Sequence, residues 1–159
     1  MMKNFNILTK KYEYDFPMVS VTVDCVLFRY NKESLSPEVL LIKRKNEPYK
    51  DYWALPGGFV EPNETIEDAT NREIREETDV DIVNTCYSKR YNIGVFDNPN
   101  RDERNRVISF LSTAMISGST TCRAGDDAKE LQWFSLRNLP PLAFDHSDMI
   151  TLAKKEQKL

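Results

Sequence analysis

The sequence predicts an α+β fold, an α/β/α sandwich in which a central mixed β-sheet is packed between helices. Strand-like runs stand on both sides of one helical stretch that lacks Gly and Pro, and the elements do not follow the regular βαβ alternation of a parallel sheet. Length is the third observation. At 159 residues, 40% of them hydrophobic, and without an internal repeat, residues 1–159 are expected to fold as a single domain with its own core.

In chain order, Val19, Val21, Val23 and Cys25 alternate with Ser20, Thr22 and Asp24, the period of a half-buried strand from Val19 to Tyr30. A turn over Asn31 to Pro37 leads to the apolar run Val39 to Ile42, a more buried strand expected to pair with the first. After a loop from Asn46 to Asp51, Tyr52 to Leu55 reads as a short extended segment, stopped by Pro56, Gly57 and Gly58. Thr65 to Thr78 is rich in Glu, Arg, Ala and Ile, and Glu64, Glu67 and Asp68 suit the positive end of a helix dipole there, so a helix is predicted. Val80 to Val83, Tyr87 to Phe96 and Arg106 to Ile116 read as strands, with a polar insert from Asp97 to Asn105 before the last. Leu131 to Ser135 predicts a further strand, Pro140-Pro141 a rigid link, and Asp145 to Lys155 a terminal helix with Asp145 as N-cap.

Composition narrows the function. A net charge of −3 with no dense run of Lys and Arg argues against a nucleic-acid partner. Cys25, Cys86 and Cys122 are widely spaced, form no C-x-x-C pair and have only His146 as an imidazole companion, which predicts free buried thiols rather than disulfides or zinc. Met1 to Lys11 lacks the apolar segment of a signal peptide, and no run is long enough to span a bilayer, so a cytoplasmic protein without membrane contact is expected.

Chemistry concentrates in Arg72-Glu73-Ile74-Arg75-Glu76-Glu77, on the predicted helix. At about 100° per residue, Glu73 and Glu77 fall one turn apart on one face with Glu76 beside them, so three carboxylates are expected to converge. Charged runs of this kind are commonly solvated faces laced with ion pairs. Here the glutamates continue the stripe of Ile66, an apolar residue expected to face the core, and acids stacked and turned inward repel one another unless a cation sits between them. Oxygen donors with no nearby imidazole or thiolate favour Mg²⁺, with Mn²⁺ as the alternative. Such an ion grips substrate phosphates and lowers the pKa of an attacking water, and Arg72 fits as the partner that orients a glutamate.

Gly58, Glu64, Arg72-Glu73-Ile74, Glu76-Glu77, Asp79 and Val80, at these spacings, resemble the box that defines the Nudix hydrolases. One defined position departs, Asp79, where the family pattern has glycine; Asp tolerates a left-handed C-terminal cap at a cost of ~1 kcal/mol. The resemblance implies a Nudix fold and Mg²⁺-dependent hydrolysis of the pyrophosphate bond of a nucleoside-diphosphate compound. It also implies that Glu73, Glu76, Glu77 and the carbonyl of Gly58 reach metal, with Arg72 and Glu64 in support. Relatives often form homodimers, and that expectation carries over with it.

The segment Phe96-Asp97-Asn98-Pro99-Asn100-Arg101-Asp102, with Arg104, Arg106 and Val107, and the segment Leu139 to His146 resemble prokaryotic ADP-ribose pyrophosphatases of the same superfamily, as does Tyr52 to Val60. ADP-ribose, cleaved to AMP and ribose 5-phosphate, is thus the favoured substrate. Arg101, Arg104, Arg106 and Arg44 are candidate phosphate ligands and Asp102 a ribose ligand, against the alternative of a loop with internal ion pairs. Phe96 and Phe144 are read as core. A base outside the box is expected among Asp126, Asp127 and Glu130, with Glu130 preferred because it adjoins a strand. His146 is assigned a helix-start or substrate-hydroxyl contact. The rival substrates are NADH, a sugar nucleotide or an oxidised nucleotide. A rival class is an ADP-ribose-sensing domain of the kind joined to a DNA-binding winged helix, for which the stretch after Phe144 is too short.

Overall fold

The computed structural model describes residues 4–6, 11–13, 18–125 and 128–159. Asn4–Asn6 (β1) and Lys11–Glu13 (β2) pair antiparallel as a separate two-stranded ribbon, which the sequence did not announce. Among the described residues the main sheet has seven strands: Ser20–Tyr30 (β3), Pro37–Arg44 (β4), Trp53–Ala54 (β5), Gly57–Phe59 (β6), Cys86–Phe96 (β7), Val107–Ile116 (β8) and Ala128–Ser135 (β9). Its helices are Ile66–Thr78 (α1), the single turn Ile82–Thr85 (α2) and His146–Gln157 (α3). The sheet is mixed, as expected: β3 runs parallel to β8 and antiparallel to β4 and β6.

Both faces of β3 are covered, so the half-buried strand expected from its alternation is corrected. Cys25 and Leu27 join Leu40, Ile74 and Ala114 in the cluster beneath α1. Val26 and Phe28 join Val39, Leu41, Met149 and Ile150 in the cluster beneath α3. Successive residues of a strand point to opposite faces, so these two clusters are the two interfaces of an α/β/α sandwich.

The position of the site follows from how β3 and β4 pair. They pair only at Phe28–Tyr30 with Val39, Glu38 and Pro37, next to the turn that joins them. Beyond it each takes another partner: β6 lies on Thr22 to Asp24, and β5 on Ile42 and Lys43. The two strands diverge, and a cavity opens between them.

Helix α1 begins as its sequence dictates. The Thr65 hydroxyl accepts the Asp68 N–H and the Asp68 carboxylate takes the Thr65 N–H, a reciprocal cap. It ends at Asp79, which stands left-handed at φ 58° and ψ 20° and donates its N–H to the Arg75 carbonyl. The buried side of the helix is Ala69, Thr70, Ile74 and Thr78, whereas Ile66 is only half-buried. Glu73 and Glu77 therefore line the edge of the buried stripe rather than continue it.

Two further expectations are corrected and a third is extended. Val80 to Val83 is not a strand: the Asp81 carboxylate accepts the N–H groups of Val83 and Asn84 and caps α2, overriding the β-branched composition. The segment before Pro56 ends as expected, at Ala54, but Gly57 and Gly58 then start a strand of their own, opposite Asp24 and Val23. Asp145 stands at the start of α3 without capping it, because its carboxylate holds the fork of Arg101 at 2.9 and 2.6 Å. Among the described residues no helix is long and apolar enough to cross a membrane.

Candidate active site

At the glycine strand the chain passes close to two neighbours. A Cβ on Gly57 would stand 2.1 Å from the Val23 carbonyl oxygen, and one on Gly58 would stand 2.3 Å from Glu73 Oε1. Glycine lets this strand lie against β3 and receive a carboxylate from α1. The Gly57 N–H donates to Glu77 Oε2 at 2.8 Å, so both glutamates of the inner helix edge abut the strand.

Arg72 ties the outer side together. Its Nε and Nη2 donate to the two oxygens of Glu64 at 3.0 and 2.6 Å, and its Nη1 reaches Glu73 at 2.8 Å and Glu76 at 3.2 Å. Nη2 also donates to the Phe59 carbonyl at 3.1 Å, tying the helix to the strand below. The fork holds the Glu64 carboxyl at about 2 and in return raises the Arg72 pKa. Glu73 moves the other way, because burial first, and then the neighbouring charges of Glu76 and Glu64, push its pKa up against the pull of Arg72.

A cavity of about 540 Å³ occupies the space where β3 and β4 diverge. Glu73 and Glu77 line it from α1, Arg44 from β4, Arg104 from the insert and Phe144 from the segment before α3. The Arg44 guanidinium lies 5.0 Å and that of Arg104 5.7 Å from the Phe144 ring centroid. Burial and then the Arg104 cation push the Arg44 pKa down against the pull of Glu77, Asp102 and Asp24, whereas Asp102 raises that of Arg104. A second cavity of about 510 Å³ lies along Glu73, Glu76 and Glu77, bounded by Arg123 and Gly125. There the N–H groups of Arg123 and Gly125 donate to the carbonyls of Thr78 and Glu77, each at 3.0 Å, closing the end of α1.

An acidic helix edge beside a glycine strand faces a cation-lined cavity, and the NUDIX domain family matches residues 18–153. The chain belongs to the NUDIX family. It is 46% identical over 142 residues to the ADP-ribose pyrophosphatase of Methanocaldococcus jannaschii, covering 89% of this chain and 76% of that one. It is 31% identical to the ADPR responsive transcriptional repressor NtrR of Acinetobacter baylyi, over 92% of this chain but only 57% of the repressor. Among solved structures, the NUDIX domain of Shewanella oneidensis NrtR complexed with ADP ribose superposes with a TM-score of 0.79 at 30% identity, covering 91% of this chain and 94% of that one.

Within this NUDIX fold the expected site residues divide. Gly58, Glu73, Glu77, Arg72, Arg44, Arg101, Asp102 and Arg104 line one cavity, and Glu76 lines the neighbouring one with Glu73 and Glu77. Several individual roles change. The Arg101 side chain is 5% exposed and bound to Asp145, so it braces the insert instead of offering its fork to a phosphate. Asp102 takes the Arg104 fork at 3.0 and 2.7 Å; burial alone would raise its pKa, and Arg104 holds it low, so it anchors Arg104 rather than a ribose. Arg106 donates to its neighbour's carbonyl at Val107 and lines a shallow surface hollow with Asn100 and Glu103.

Glu130 is exposed, pairs with Lys43 at 3.0 Å and lines neither cavity, so the structure does not bring it to the site; Asp126 and Asp127 lie outside the described residues. Phe96 packs on the core beneath α3 as expected, whereas Phe144 divides itself between a small core cluster and the cavity. Asp24 and Ser109, joined by a hydrogen bond, were missed. Asp24 follows the polar phase of an alternating strand, so no local signal marked it.

The predicted convergence of three carboxylates is also corrected. Among the described residues no three carboxylate, imidazole or thiolate groups are gathered around one point. Glu73 and Glu76 both close onto Arg72, and Glu77 onto the Gly57 amide, so they stand side by side along one helix edge. Their chemistry fits a hard divalent cation: the donors are all oxygen, and burial penalises the charge on Glu73 unless a cation offsets it.

Proposed function

We propose that this Nudix hydrolase cleaves the pyrophosphate bond of ADP-ribose, giving AMP and ribose 5-phosphate. The carrying observation is that Glu73 and Glu77 of α1 and the cations Arg44 and Arg104 share one cavity. Similarity to an archaeal ADP-ribose pyrophosphatase and to a domain complexed with ADP ribose supports the choice of substrate. Glu73, Glu76, Glu77 and the Gly58 carbonyl would hold the divalent ion, Mg²⁺ or in its place Mn²⁺. When bound, that ion supplies neutralisation of phosphate charge and a lowered pKa for a water. Arg44 and Arg104 bind phosphate oxygens, relieving their mutual repulsion, and the Phe144 ring lies beside both guanidinium groups. Arg72 orients Glu73 and Glu76 while Glu64 fixes Arg72.

The test is incubation with ADP-ribose, NADH, a sugar nucleotide and an oxidised nucleotide, with and without Mg²⁺, followed by product identification. AMP and ribose 5-phosphate, formed with Mg²⁺ only and lost in Glu76→Gln and Glu77→Gln, are expected. Preferred turnover of another member of the panel overturns the substrate, and near-normal activity in both variants overturns the metal site. The likeness to an ADPR responsive repressor favours one second reading, a sensing domain. Tight ADP-ribose binding without turnover in Mg²⁺ would decide for it.

A further inference from the structure

The floor of the cavity carries a buried polar cluster, with His146 and Asp24 among the lining residues, that the acid and cation chemistry does not use. Leu55, past the end of β5 and 2% exposed, donates its N–H to Nδ1 of His146 at 2.9 Å. A ring nitrogen that accepts carries no proton, so the neutral imidazole is the Nε2–H tautomer, with Nε2 3.6 Å from Asp24 Oδ1. Burial keeps the ring neutral by pushing its pKa down, with Asp24 opposing. Asp24 in turn takes the Ser109 hydroxyl and lies 3.9 Å from Arg101, which grips Asp145, the residue before His146.

A buried amide such as that of Leu55 needs an acceptor, and the acceptor here sets the course of the next three residues. The Pro56 carbonyl accepts the Cys25 N–H at 3.0 Å, and the Gly57 N–H then reaches Glu77. Gly58 comes next, lying against the Glu73 carboxylate. The path from the imidazole to the acidic helix edge is short and made of backbone.

We propose that His146 is a positioning residue, which by accepting the Leu55 N–H fixes the glycine strand that orients Glu77 and seats Glu73. The path joins the insert to the helix edge through Arg101, Asp145 and His146, and it rests on the reading of that edge as the metal and reaction site.

The two ring nitrogens can be tested separately. In His146→Asn the amide oxygen takes the place of Nδ1, keeping the acceptor for Leu55 and giving up the Nε2 contact. In His146→Gln the side chain reaches toward Asp24 and leaves the Leu55 N–H without its acceptor. With ADP-ribose and Mg²⁺, the Gln variant is expected to lose about tenfold or more in kcat with KM little changed, and the Asn variant to recover most of it. Titration with Mn²⁺ alone, followed by water proton relaxation, is expected to show affinity weakened in the Gln variant and recovered in the Asn variant.

Equal losses in both variants, or no loss in Gln, overturn the proposal. If the wild-type protein does not turn over ADP-ribose, the substrate reading fails while the Mn²⁺ titration still reads the glutamates. The wild-type imidazole ¹⁵N shifts and the Leu55 amide exchange rate need no variant. An unprotonated Nδ1 with a slowly exchanging amide supports the assignment, and a protonated Nδ1 overturns it.

Discussion

Gly57→Ala tests the step at which backbone packing becomes chemistry. The added methyl would stand 2.1 Å from the Val23 carbonyl oxygen and 2.9 Å from both Cα and Oδ1 of Asp24. Two of these are backbone atoms of the central strand, which no rotamer change moves. To reach ordinary contact the glycine strand must retreat by roughly 1 Å. The Gly57 N–H bond to Glu77 begins at 2.8 Å, and a retreat of that size takes it beyond the ~3.5 Å at which a hydrogen bond is effectively lost. Overpacking of this kind costs about 1–3 kcal/mol, or roughly 2–12 °C in Tm for a chain of this length. Misplacement of a site by ~1 Å costs on the order of 100-fold in rate. Thermal melts and steady-state kinetics with ADP-ribose and Mg²⁺ measure the two effects. A variant that melts earlier but keeps the wild-type kcat would show that Gly57 only packs, and the link from strand to carboxylate would be refuted.

Two further outcomes are expected at the ends of α1. Asp79→Gly removes the strain of a left-handed aspartate and its charge from the negative end of the helix, so Tm is expected to rise by about 2–4 °C with activity retained; a lower melting temperature would contradict the cap. The Glu64 carboxyl is held by Arg72 at about 2 against an ordinary value of 4.5. A carboxyl depressed on folding stabilises fully above its unfolded pKa and loses that contribution as pH falls through its folded one. The Tm gap between wild type and Glu64→Gln is therefore expected to be constant above about pH 4.5 and to close toward pH 2; a gap independent of pH would remove the Glu64–Arg72 bond from the stability of the fold.

The parts of this fold that could be read from the sequence are those whose causes lie within a few residues. The helix to Thr78 and the left-handed Asp79 are local, and the spacing of Glu73, Glu76 and Glu77 comes from helical periodicity; the cap at Thr65 is equally local, though that residue was expected as the first of the helix. What could not be read depends on partners distant in sequence. Gly57 and Gly58 carry no side chain to announce a strand, and they form one only because β3 offers them its edge. Asp24 looks like the exposed side of an alternating strand until Ser109 and His146, both far along the chain, enclose it. Of the insert arginines, Arg101 and Arg104 line the cavity and Arg106 a separate hollow, and which of the first two meets solvent depends on Asp102 and Asp145. Each of those carboxylates holds one guanidinium. Val80 to Val83 failed for a different reason: one Asp81 carboxylate outweighed β-branched residues on either side.

The parallel alignment of β3 with β8 sets Thr22 beside Ser109 and Asp24 beside Leu111, nearly ninety positions apart along the chain. Pairings of such large sequence separation are slow to form, because the intervening chain must be ordered before the contact stabilises anything. A peptide spanning only 57–79 would hold the whole acidic motif yet have no β3 against which to lay its glycines, so it should remain inert. The two halves of the chain meet along two such seams, β3 with β8 and β4 with β9, and the acidic motif has its glycine strand seated only where β3 is in place.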